Sequence, residues 1–194
     1  MGLYVNISEK NFGKKNIFKD LVLTFPDKGL YAIVGKSGIG KTTLLRIIAG
    51  LDKKFKGKVQ GGGTEKCSYV FQEYRLFPQL NALDNVLIAN YDNPTDEQKR
   101  EAVSLLEELS FSKDDLLLFP DELSGGMKQR LSIVRALIRK APVLLLDEPT
   151  KELDRDICER LYKILKRESE KRLLLMISHS EKDIERTNAE IINL

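Results

Sequence analysis

One stretch limits what this chain can fold into more than any other: Gly35-Lys36-Ser37-Gly38-Ile39-Gly40-Lys41-Thr42-Thr43. It is preceded by the apolar run Leu30-Tyr31-Ala32-Ile33-Val34 and followed by Leu44-Leu45-Arg46-Ile47-Ile48-Ala49-Gly50. Gly35, Gly40, Lys41 and Thr42 satisfy the pattern G-x-x-x-x-G-K-[ST] in the strand, loop, helix setting that gives it meaning. The chemistry is specific. Glycines let backbone N–H groups turn inward around phosphate oxygens, and the start of the following helix adds the positive end of its dipole. Lys41 is expected to reach the β- and γ-phosphates of a nucleotide, and the Thr42 hydroxyl to ligate Mg²⁺. A glycine-rich turn that binds nothing is the plainer alternative, and the flanking strand and helix argue against it.

The 194 residues are enough for one domain with a sizeable core, so one such site per chain is expected. We read residues 1–194 as a single unit with a helical subdomain inserted over about 78–138. Charged residues make up 31% and the formal net charge is +3, which does not demand an acidic partner. The lysines at 53, 54, 56 and 58 have no interleaved aromatics, so they read as a solvated loop and no nucleic-acid partner is expected. Cys67 and Cys158 are far apart, without a C-x-x-C pair and with a single histidine in the chain, which points to a reducing compartment and away from a zinc site. No segment approaches the ~20 apolar residues that cross a bilayer, and Met1 to Lys10 has no signal-peptide pattern. Any membrane role is therefore expected to come through another chain.

Along the chain, Leu3–Ile7 and Ile17–Phe25 read as strands, with Pro26-Asp27-Lys28-Gly29 turning into the strand before the phosphate loop. Gly57–Gly63 reads as turn-rich and Ser68–Phe71 as a short strand. From Pro78 to about Ile138 the pattern is helical. Thr95-Asp96-Glu97-Gln98 is a capping-box signature, and Ala102, Leu105, Leu106 and Leu109 then share one face. Another helix is expected from Ser124 to Arg139 with Leu131, Val134 and Ile138 inward. The last third alternates: a buried strand at Val143–Leu146, a helix from about Asp154 to Glu170, a strand at Leu173–Ile177, a helix at Glu181–Arg186 and a strand at Glu190–Asn193. Such alternation implies a parallel sheet covered on both faces.

Two further constellations carry chemistry. Asp147 and Glu148 close the run Val143-Leu144-Leu145-Leu146, where an open α/β sheet gathers its ligands. Asp147 is expected to hold Mg²⁺, and Glu148 to accept a proton from the water attacking a γ-phosphate. Leu123-Ser124-Gly125-Gly126-Met127-Lys128-Gln129-Arg130 is a second glycine-bearing helix start, with Ser124 as cap and bare backbone donors beside it. Alone it could be an ordinary capped helix. Beside the first site it suggests two chains sharing each nucleotide, because one chain cannot readily fold both loops onto the same phosphate.

Together these residues resemble the ATP-binding-cassette (ABC) ATPases. The resemblance rests on the phosphate loop, the glutamine of Val70-Phe71-Gln72-Glu73, the signature Leu123–Arg130, Asp147-Glu148-Pro149-Thr150, the loop ending Leu153-Asp154, and His179 in Ile177-Ser178-His179-Ser180. It implies an α/β fold: a P-loop NTPase core with a mostly parallel sheet, an antiparallel β subdomain on the N-terminal side and an inserted helical subdomain. It further implies a head-to-tail dimer closing on ATP and Mg²⁺, each ATP held by one chain's phosphate loop, Gly35 to Thr43, and the other's Ser124, Gly125 and Gly126. By matching position Phe12 would stack on adenine, Gln72 would sense Mg²⁺ and the attacking water, His179 would meet the γ-phosphate, and Asp154 would belong to the nucleotide-binding set. The implied activity is ATP hydrolysis that powers separate membrane subunits, from the cytoplasmic side of the cell membrane; a soluble ABC ATPase, as in iron-sulfur cluster assembly, is the alternative. Ser68–Pro78, Leu83-Asp84-Asn85-Val86 and Met127–Arg130 look most like importer ATPases of the nitrate, taurine and sulfonate type, although Gln79 stands where those commonly carry tryptophan. Lys151-Glu152 replaces the usual Ser-Ala, and Ser180 the usual aspartate.

Overall fold

A computed structural model describes residues 2–13, 15–89 and 93–194. Residues 90–92, inside the stretch expected to be helical, lie outside the described set. Two sheets organise the chain. In the first, β1 (Leu3–Phe12) pairs antiparallel with β2 (Lys15–Phe25) on one side and β4 (Lys56–Gln60) on the other. The second is parallel, in the order β5-β6-β7-β3-β8, from β3 (Gly29–Val34), β5 (Cys67–Val70), β6 (Val143–Asp147), β7 (Leu173–Ile177) and β8 (Glu190–Asn193). Helix α1 (Lys41–Ile48) follows the phosphate loop. Between β5 and β6 lie α2 (Ala82–Leu87), α3 (Asp96–Glu108) and α4 (Gly125–Ile138); α5 (Arg155–Ser169) and α6 (Glu181–Thr187) complete the alternation. This is the α/β fold expected from the sequence. No described helix is long and apolar enough to cross a membrane.

The continuous apolar runs of β6 and β7 have a simple cause: both faces are covered. Leu144, Leu146, Leu174 and Met176 join one core with residues of α3, α4 and α5. Val143, Leu145, Leu173, Leu175 and Ile177 join the other, with Leu44, Leu45, Ile47 and Ile48 of α1 and Val5 and Ile7 of the antiparallel sheet. All ten residues of the two strands are buried. At full burial each of the nine apolar side chains among them contributes about 1.5–3 kcal/mol of hydrophobic stabilisation, which is why these strands anchor the site.

Two sequence expectations need correction. Gly57–Gly63 is not simply turn-rich, because Lys56–Gln60 pairs with β1 from Tyr4↔Gln60 to Glu9↔Lys56. Strand β1 also runs past Ile7 to Phe12, with an irregularity between Lys10 and Asn11. There Lys10 is 2% exposed, and its ammonium is held by Asp52 at 2.6 Å and the Lys54 carbonyl at 2.9 Å. The capping box is present as read: Thr95 N–H donates to Gln98 Oε1 at 2.8 Å, and Gln98 N–H to Thr95 Oγ1 at 3.3 Å.

Candidate functional site

Parallel strands deliver their following residues to one edge of the sheet. The carboxyl end of β3 leads into the phosphate loop, that of β5 into Phe71 and Gln72, that of β6 into Glu148 and that of β7 into Ser178 and His179. A cavity of about 450 Å³ opens at this edge. Its lining brings together Phe12, Ser37, Gly38, Gly40, Lys41, Thr42 and Thr43 with Gln72, Glu148 and His179. A larger cavity of about 780 Å³ lies elsewhere, between α3 and α5, and none of the sequence-predicted site residues lines it.

Helix α1 starts without a side-chain cap. Gly40 has φ +119°, and a Cβ there would come within 2.6 Å of Ile17 and 2.7 Å of Phe18, so only glycine fits the turn. Lys41, 6% exposed, curls back so that its ammonium donates to the carbonyls of Gly35 at 2.8 Å and Lys36 at 3.2 Å. Neighbouring Thr42 donates its hydroxyl to Asp147 Oδ1 at 3.2 Å. Asp147 is 2% exposed, and burial is the main reason its pKa is raised, opposed by the Thr42 and Tyr69 hydroxyls. Among the described residues neither Lys41 nor Asp147 makes an ion pair. An unmatched buried cation, held only by backbone carbonyls, and an unmatched buried anion, held only by hydroxyls, call for partners of opposite charge. A phosphate on the loop and a hard divalent cation beside Thr42 and Asp147 would satisfy both. No described cluster of three or more His, Cys, Asp or Glu could hold a metal.

Glu148 has φ +53°, a left-handed backbone that costs a non-glycine residue about 1–3 kcal/mol and tends to persist at functional sites. Its N–H donates to the Ile177 carbonyl at 3.1 Å, which anchors it to β7. Its carboxylate lies between His179 Nε2 at 3.4 Å and Lys151 Nζ at 3.7 Å. The turn carrying His179 is fixed from below. Buried Asp183 accepts hydroxyls from Ser178, Thr150 and Tyr162, tying the loops after β6 and β7 to α5 and α6. Ser180 caps α6 by accepting from Asp183 N–H at 3.3 Å, a role that explains a serine there.

Other predicted residues sit outside the cavity. Lys36 contributes its carbonyl to Lys41 and does not line the opening. Asp154 caps α5, accepting from Ile157 N–H at 3.0 Å. Ser124 caps α4 by accepting from Met127 N–H at 3.2 Å, and Gly125 lies against Glu152 and Tyr74. Glu152 accepts the Tyr74 hydroxyl, whose pKa this bond pushes up to about 12. The unusual Lys151-Glu152 pair therefore reaches two regions, Lys151 through the Glu148 carboxylate and Glu152 at the start of α4. Sequence reasoning missed Tyr69, whose hydroxyl reaches Asp147 Oδ2 at 3.2 Å; no spacing signal links residues so far apart in the chain.

Several known proteins are similar to this chain. The aliphatic sulfonates import ATP-binding protein of Bacillus subtilis (strain 168) is 40% identical over 164 residues, covering 79% of this chain and 64% of the relative. The sulfate/thiosulfate import ATP-binding protein of Salmonella typhi is 33% identical over 199 residues, covering 94% of this chain and 55% of the relative. The chain thus spans between about half and two thirds of these relatives' length. Among solved structures, a dimeric ATP-binding cassette in a post-hydrolysis state bound to ADP and Pi superposes with TM-score 0.86 at 29% identity, covering 100% of this chain and 94% of that one. A dimeric bacterial ABC transporter cassette gives TM-score 0.85 at 30% identity with the same coverage. Residues 18–151, more than half of the chain, match the ABC transporter family, and the chain belongs to that family.

Proposed function

We infer that this protein binds and hydrolyses ATP and powers an ABC membrane transporter from the cytoplasmic face of the membrane, docked on separate integral membrane subunits. The observation that carries the reading is the pair of unmatched buried charges: Lys41, which lines a cavity with Thr42, Glu148, Gln72 and His179, and Asp147, which accepts the Thr42 hydroxyl just behind that lining. The triphosphate lies along Gly35–Thr43, with backbone N–H groups and Lys41 on its oxygens. The base stacks on Phe12, which is 55% exposed at the end of β1. Thr42 and Asp147, with Gln72, hold Mg²⁺. When bound it would offset the negative charge that develops on the phosphate oxygens.

Glu148 accepts a proton as a water oxygen attacks the γ-phosphorus; the bond to the β,γ-bridging oxygen breaks, leaving ADP and phosphate. His179 contacts the γ-phosphate, and Gln72 orients the water. Ser124, Gly125 and Gly126 cover the nucleotide of a second cassette, in the simplest assembly another copy of this chain, and Asp154 acts at that junction. Residues 78–138 form the inserted helical subdomain. A groove of about 370 Å³ with exposed Leu51, Phe77 and Ile88 would receive a helix of the membrane partner. The relatives named above are import proteins, and import is the direction we assign.

The test is a pull-down of the tagged chain from mildly solubilised membranes of its own organism. A stoichiometric integral membrane protein with several spans is the expected result. Recovery only in the soluble fraction would overturn transport coupling and leave the soluble-ATPase alternative.

A further inference from the structure

Asp147 is held from two sides. Thr42 reaches Oδ1 from the phosphate loop, and Tyr69 reaches Oδ2 from β5, each at 3.2 Å. Tyr69 pairs with Leu145 across the β5–β6 ladder, so its ring extends along the sheet to meet the carboxylate two residues further on. The position of the ring is itself fixed. It stacks on Phe71 at a centroid distance of 4.2 Å and an interplanar angle of 13°, and the Arg75 guanidinium lies 3.9 Å from the centroid of Phe71. Tyr69, Phe71 and Arg75 all line the apolar groove, so one stack runs from the groove wall to Asp147.

A buried carboxylate with one oxygen toward a cation and the other unpartnered could swing between orientations. A hydroxyl on the far oxygen removes that freedom, and such outer partners commonly govern metal affinity.

We propose that Tyr69 is a positioning residue for metal binding: its hydroxyl fixes the Asp147 carboxylate so that Oδ1 and the Thr42 hydroxyl face the cation, and the Phe71–Arg75 stack holds that hydroxyl in place. The proposal rests on the magnesium-nucleotide reading above. It adds a residue that touches neither nucleotide nor metal.

The probe is Mn²⁺ as a spectroscopic stand-in for Mg²⁺. Free Mn²⁺ is followed by its paramagnetic resonance signal as protein and ADP are added, and ADP affinity is measured separately in chelator. Tyr69→Phe is expected to weaken Mn²⁺ binding about 10- to 100-fold while metal-free ADP affinity stays unchanged. Tyr69→Met removes the hydroxyl while keeping an apolar filler, and must show the same loss. Phe71→Leu keeps the hydroxyl but loosens the stack, and should give a smaller loss of the same kind. Wild-type Mn²⁺ affinity in both Tyr69 variants would overturn the proposal and leave the nucleotide reading intact. Parallel loss of metal-free ADP affinity would overturn it as well, by making Tyr69 a general structural residue. Failure of the unaltered protein to bind Mn²⁺ and ADP together would bring down the reading itself.

Discussion

The chain has two glycine-bearing helix starts, and they are built to opposite plans. At α1 no side chain caps the helix, Gly40 takes a left-handed turn, and the loop forms the floor of a cavity with Glu148, His179 and Gln72. At α4 Ser124 caps the helix, and the glycines face Glu152 and Tyr74 outside that cavity. Uncapped N–H groups in a shaped pocket make a receptor for phosphate within one chain. A capped start on the outside has nothing in its own chain to receive. On the function proposed above, the difference is that between a whole phosphate-binding loop and a half-site offered to a neighbouring cassette.

The comparison breaks most visibly at Glu148. Glu148→Gln should lower ATP turnover about 10²- to 10⁴-fold, the usual range for a positioned base, with nucleotide affinity retained. Near-normal turnover in a phosphate-release assay would remove Glu148 from that role. Phe12→Ala should weaken nucleotide binding by about 1–3 kcal/mol, and ATP and GTP alike, because stacking accepts any base. Equilibrium binding to the isolated chain reads this directly; an unchanged affinity would return Phe12 to an ordinary exposed aromatic.

Stability sharpens the contrast between the two starts. Gly40→Ala should cost about 1–3 kcal/mol of folding free energy, from left-handed strain and contact with Phe18. Gly125→Ala should cost less, since the atom its Cβ meets is the end of the flexible Glu152 side chain. Denaturant melts of the two variants check the order. Smallest is Ser124→Ala, about 1 kcal/mol from loss of the cap to Met127 N–H, seen as a shift in the same melts. Its nucleotide affinity as an isolated chain should not change, and a drop would put α4 at the same cavity as α1.

Much of this was legible because local chemistry and fold agree. The strands Leu173–Ile177 and Glu190–Asn193 fall where the apolar runs put them, and Ser124 and the Thr95–Gln98 box cap the helices they announce. Strand β4 was not legible. Lys56, Gly57 and Lys58 have little strand propensity and become strand only by pairing with Asn6 to Glu9, far away in the chain. The far end of β1 hid for the same reason: its polar residues lack alternation, and a buried Lys10 is stabilised only once Asp52 arrives. At the site, phosphate-loop residues were readable from spacing. The Tyr69 hydroxyl on Asp147 was not, because that contact depends on strand order and ring direction rather than on any motif.

The central claim is that a nucleotide held at α1 of one chain recruits α4 of another. The most direct test is the solution mass of Glu148→Gln, measured by light scattering with saturating Mg²⁺ and ATP. The account predicts a shift from the 22.1 kDa monomer to twice that mass on adding ATP, and its abolition by Ser124→Arg. A variant that binds ATP yet stays at 22.1 kDa would contradict it.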